Sequence, residues 1–106
     1  MNQLKWSKTE KLAARRAFET AYRRECEAIT AKLREMTASI QGSADIWRIH
    51  DYLTEKREKT DYKYGYRYSI LIPVFARLMK EGWLTEADLD GLQDDKIDKI
   101  KSSASL

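Results

Sequence analysis

The sequence predicts an all-α protein: a long N-terminal helix that forms an extended two-fold dimer, with a small C-terminal helical head. Three observations predict it. Only four glycines and one proline punctuate 106 residues, too few to turn the many short strands of a sandwich or barrel. From Lys8 to Ile40 no Gly or Pro intervenes, and the run is rich in Ala, Glu, Lys, Arg and Leu, all strong helix formers. Within it Tyr22, Cys26, Ile29, Leu33, Met36 and Ile40 recur at alternating steps of four and three, which is a heptad seam.

Ser7 followed by Glu10 fits a capping box and starts the first helix; Gly42 is expected to stop it as a left-handed cap. Thirty-three helical residues at about 1.5 Å each make a rod of about 50 Å, whereas a compact chain of this size has a radius of gyration of about 13 Å. The other residues cannot cover such a rod, so its seam is expected to lie against a second copy. A break in the helix near residues 28–30 is the alternative.

Ser43 or Asp45 caps a second helix running to about Asp61, with Ile46, Ile49 and Leu53 as its apolar stripe. The four alternating tyrosines of residues 61–68 have no partner strand, so they read as a tight turn around Gly65. A third helix carries Ile70, Leu71, Val74, Phe75, Leu78 and Met79 and ends at Gly82, with Pro73 in its first turn or at a kink. Thr85 with Asp88 caps a fourth helix through Leu92, Asp94 opens a last one, and residues 102–106 are expected to fray. The whole is a single domain, with a dimerisation part at 1–61 and a head at 62–106.

Charge excludes little. The net charge is +3, distributed as +4 over residues 1–40, +3 over 41–80 and −4 over 81–106. One Cys and one His cannot build a structural zinc site, and neither a metal nor another cofactor is expected. The longest apolar run, residues 70–76, is too short to span a bilayer, and the first residues lack the apolar core of a secretion signal, so a cytoplasmic place is expected. Nine basic side chains along the first 40 residues suggest phosphate binding, yet interleaved Glu10, Glu19, Glu25, Glu27 and Glu35 argue against one basic face and hence against nucleic acid.

On the second helix Trp47, His50, Asp51 and Arg57 lie beside the apolar stripe. With Trp47 as the origin of the helical wheel, Asp51 falls at about +40°, His50 at about −60°, Arg57 at about −80° and the stripe at about −130°. Trp, His and Arg at the rim of a buried seam are residues that anchor interfaces. Asp51 and Arg57, six apart, are out of mutual reach on one helix, so an ion pair between them must cross to another copy; both being solvated is the alternative. Neighbouring His50 and Asp51 should point about 100° apart and form no catalytic dyad. Cys26 reads as a small seam hydrophobe, and no enzyme activity is expected.

Residues 44–101 resemble the cyanobacterial fluorescence recovery proteins. The resemblance rests on Asp45-Ile-Trp-Arg-Ile-His-Asp-Tyr-Leu53, Lys56-Arg57, Asp61-Tyr-Lys-Tyr-Gly-Tyr-Arg-Tyr-Ser69, Val74-Phe-Ala-Arg-Leu78 with Gly82, and Asp88-Leu-Asp-Gly-Leu92 with Asp95-Lys96. It implies a helical homodimer that binds the C-terminal domain of light-activated, red orange carotenoid protein, speeds its return to the orange form and so ends phycobilisome quenching. A place at the cytoplasmic face of thylakoids, through the phycobilisome-bound partner, goes with it. By position, Trp47, His50, Asp51 and Arg57 match the family's partner-binding patch at the dimer interface. The interface expected is Tyr22, Ile29, Leu33, Met36, Ile40, Ile46, Trp47, Asp51 and Arg57. Gly65 and Pro73 depart from the family pattern. Two alternatives stay open: a stress-linked relative with another client, and a nucleic-acid-binding helical dimer.

Overall fold

A computed structural model describes residues 4–106 and has no β-strand among them. Four helices follow in order: α1 (Lys8–Ala38), α2 (Ser43–Lys63), α3 (Leu71–Lys80) and α4 (Asp94–Ala104). Single 3-10 turns stand at Tyr68–Ile70 and Glu86–Leu89. The all-α class, the long first helix and the small helical head are as the sequence predicts.

The capping box at Ser7 is complete: its hydroxyl accepts from the Glu10 amide, and the Glu10 carboxylate accepts from the Ser7 amide, both at 3.1 Å. At the other end the expectation fails. Gly42 has φ −161°, an extended conformation, and α1 already ends at Ala38. The reason lies in Asp45, which accepts from the amides of Gln41 (2.9 Å) and Gly42 (3.3 Å) and so ties the connection to the helix that follows. These amides, with Arg48, hold the Asp45 carboxyl below its ordinary range. Turned there, α2 folds back along α1 until Lys63 meets Glu25.

In the head Pro73 occupies the first turn of α3, where its missing N–H costs nothing, and no kink is needed. The end of α3 is a Schellman motif: Gly82, at φ +88°, donates to Met79 O (3.0 Å) and Trp83 donates to Leu78 O (2.8 Å). The segment after Thr85 is a 3-10 turn and not the predicted helix through Leu92. Gly91, at φ +103°, breaks it, and the loop presses so closely on α1 that a Cβ there would lie 2.7 Å from that of Ala13. The expected fraying from Ser102 does not occur; α4 stays helical to Ala104, and Lys80 Nζ donates to Leu106 O at 3.0 Å.

The core joins Leu71, Phe75, Leu78, Leu84, Leu89, Leu92 and Ile100 of the head to Ala13, Ala14, Ala17 and Ala21 of α1. Those alanines recur at helical spacing, and their small side chains let the head approach the α1 backbone closely. Polar bonds reinforce this contact. Arg16 donates to Asp90 O (2.9 Å), and Arg24 grips Asp88 with both terminal nitrogens (2.6 and 3.2 Å) and donates to Trp83 O. Two arginines that read as phosphate contacts are thus used inside the chain. The rest of α1 projects with α2 as an arm, which gives a radius of gyration of 16.8 Å and extents of 55 × 27 × 26 Å.

Candidate partner-binding and dimerisation surface

The arm is a two-helix hairpin with little to bury its outer side. A helix pair can hide one stripe of each helix against the other, and Ile29, Leu33, Met36 and Ile49 become half-buried in this way. Tyr22 (46% exposed), Ile40 (42%), Ile46 (51%), Trp47 (64%) and Leu53 (38%) stay open to solvent. Most of the molecule's large exposed apolar side chains therefore lie on the arm. Between its helices runs a groove of about 290 Å³ lined by Tyr22, Cys26, Ile29, Leu53, Lys56, Arg57 and Thr60.

The four residues singled out on α2 do not all meet within one chain. Trp47 and His50 are in edge contact, ring centroids 6.3 Å apart at 77°. His50 Nδ1 lies 3.2 Å from Asp51 Oδ1, which corrects the expectation that these neighbours cannot reach one another. Both side chains are exposed and free to bend along the helix surface, so backbone direction alone does not keep them apart. Arg57 stands nearly two turns on and donates from Nε to Asp61 Oδ2 at 2.9 Å. His50 and Arg57 still share a shallow groove with Leu53, Thr54 and Glu58.

Where arm meets head lies a charged junction that sequence reasoning missed. Lys63 is only 6% exposed; its ammonium donates to Glu25 (2.7 Å) and Glu81 (2.6 Å), while Tyr64 Oη donates to Glu25 at 2.8 Å. Burial, and then the Glu25 carboxylate, push the Tyr64 phenol well up. Glu81 also accepts from Arg77 and the Trp83 indole, and although burial raises its carboxyl, Lys63 and then these two donors bring it below the usual range. A matching pair closes the far end of the alanine stripe: Lys96 bonds Glu10 and Lys5 O. Burial raises the Glu10 carboxyl too, but the Gln93 and Ser7 amides and Lys96 lower it further. Nothing in the spacing of Glu25 names a partner 38 residues away, and Glu10, read as a cap carboxylate, gave no sign of Lys96, 86 residues on. The alanines between them were the available signal.

The model of the photoprotection regulator fluorescence recovery protein family matches residues 6–104. The chain belongs to that family. The curated fluorescence recovery protein of Synechocystis sp. is 40% identical over 101 residues, 95% of this chain and 93% of that one. The solved fluorescence recovery protein of Fremyella diplosiphon is 43% identical with a TM-score of 0.90, and that of Synechocystis 39% with 0.91; each match covers 96% of this chain and 100% of the other. Arm and head are thus both features of the fluorescence recovery protein fold. Gly65 and Pro73 leave it intact; a Cβ at residue 65 would in fact come within 2.8 Å of Ile70 Cδ1. As a family member the chain is a photoprotection regulator, and none of its helices among the described residues is long and apolar enough to cross a membrane.

Proposed function

We propose that the chain works as a two-fold dimer that binds the C-terminal domain of light-activated orange carotenoid protein and accelerates its return to the orange form. Family membership over nearly the whole chain supports the activity; the uncovered apolar side of the arm supports the dimer. That face holds Tyr22, Ile40, Ile46, Trp47 and Leu53 in continuity with the half-buried Ile29, Leu33 and Met36. Burying it against a copy removes a long apolar strip from water twice over. Trp47, His50, Asp51 and Arg57 line its rim, and in the pair Asp51 of one protomer meets Arg57 of the other, which exchanges the exposed Asp61 for a partner across the interface.

The action is non-covalent. Acceleration by binding requires that the dimer hold the client's transition state more tightly than its red state, and the equilibrium moves only if affinity for the two end states differs. No bond is made or broken. The test is the dark red-to-orange absorbance recovery of purified client with and without this protein. A faster recovery is expected, with the mass of the free protein by light scattering that of two chains. An unchanged rate defeats the proposed activity, and a well-folded monomer at micromolar concentration defeats the dimer.

A further inference from the structure

The junction between arm and head is also a cleft. It measures about 460 Å³ and is lined by Lys56, Lys59 and Lys63 of α2, Arg77 and Glu81 at the end of α3, Glu25 of α1 and the Trp83 indole. Four cations face two carboxylates, and both carboxylates are already engaged by Lys63, Arg77, Tyr64 and Trp83. Among the described residues Lys59 reaches only the exposed Glu55 (2.6 Å), and Lys56 has no carboxylate within ion-pair distance; its ammonium stands 5.8 Å from the centre of the Tyr52 ring. The α2 wall of the mouth is therefore positive, and Arg77 opposite, bonded to Glu81 through Nε alone, has its two terminal nitrogens as further donors.

From this geometry we infer that the cleft seats an acidic segment of the protein client, its carboxylates on Lys56, Lys59 and Arg77 and an apolar residue against Trp83. Lys56 and Lys59 stand one helical turn apart, with Arg77 opposite on another element, so the cations are spread along the cleft and not gathered around one point. Among the lining groups the donors are long side chains; no glycine-rich loop or helix start offers the cluster of backbone amides that cages a single phosphate. Spread cations beside an indole suit a run of carboxylates with apolar side chains between them. Because the joint holds Lys63 and Glu81, an occupant there touches arm and head together. That the segment belongs to the client rests on the activity proposed above, whereas the cleft's preference for acidic peptide does not.

The double variant Lys56→Gln/Lys59→Glu tests the inference, with circular dichroism and light scattering to verify fold and assembly. Affinity for the light-activated client should fall by roughly tenfold at low salt, and the loss should fade at high salt. A second arm needs no client: titration of the full chain with hexaglutamate peptide should move the Trp83 indole N–H resonance saturably in the native protein and not in the variant. An unchanged client affinity, or peptide-induced shifts scattered over every basic helix, overturns the inference while leaving the recovery activity standing. Tighter capture of a mixed-sequence single-stranded oligonucleotide than of the client at this cleft overturns it as well. If the native chain ignores the client altogether, the proposed activity falls and the peptide titration alone decides the cleft.

Discussion

Head and arm share one helix and use it in opposite ways. Residues 13–21 of α1 present alanines to the head, and Leu71, Phe75, Leu78, Leu89 and Ile100 around them are all completely buried. Beyond Glu25 the same helix has one other helix for company, and its large side chains stay half-buried or exposed. Small residues thus mark where the protein packs against itself, and large ones where it has surface to spare. The ion pairs follow the same division. Glu10–Lys96 and Glu25–Lys63 are buried at the two ends of the alanine stripe, while those of the arm, such as Arg23–Glu27 and Lys59–Glu55, lie in solvent. Exposed pairs contribute little; buried ones fix geometry, because a stranded partner is expensive.

The largest effects belong to the head. Phe75→Ala should cost about 3 to 5 kcal/mol in urea unfolding, since it opens a void in a fully buried site. Lys63→Met should cost a similar amount, about 3 to 5 kcal/mol, by leaving the buried Glu25 without its cation, whereas Glu81 keeps Arg77; restoration by the further change Glu25→Gln would show that the stranded charge is the cause. Gly91→Ala should cost about 2 to 3 kcal/mol, through a positive φ and the close approach to Ala13.

Asp88→Asn should cost less, about 1 to 2 kcal/mol near neutrality. The Arg24 guanidinium, with the amide and hydroxyl of Thr85, draws the Asp88 carboxyl down to about 2, although partial burial opposes them. A depressed carboxylate contributes stability above its unfolded value of about 3.9 and loses it as pH falls through the native value. The gap in urea midpoint between native chain and variant should therefore be full at neutral pH and close between about pH 4 and 2.

The smallest effect on the protomer is the sharpest test of the comparison. Leu53→Asp on the arm should leave helical content and the head's unfolding midpoint within about 0.5 kcal/mol of native, yet halve the mass seen by light scattering. If it unfolds the chain as Phe75→Ala does, arm and head are not energetically distinct.

Much of this was legible. Ser7 with Glu10, Thr85 with Asp88, and Gly82 followed by Trp83 each carry their hydrogen bonds within a few residues, so local spacing suffices to name them. The heptad seam was equally plain. What escaped was the second face of α1: Ala13, Ala17 and Ala21 sit at i, i+4 and i+8, but alanine is also the best helix former, so its presence does not announce a core. Gly42 misled because a glycine after a helical run serves either the helix behind or the one ahead, and Asp45 decided for the latter. The charges of Lys63 and Lys96 gave no sign of burial, since their partners lie 38 and 86 residues away.

Since α1 runs from Lys8 to Ala38 without a glycine or proline, it carries neither of the residues that most often kink a helix. In a two-fold pair such a beam is a ruler. The gap between the two heads is then set by a residue count, and each residue inserted beyond Ala21, present in both copies, would spread them by about 3 Å while turning each head by about 100° about its own helix. In the proposed dimer, a relative whose arm is longer by one full turn would hold the two heads farther apart in nearly the same orientation.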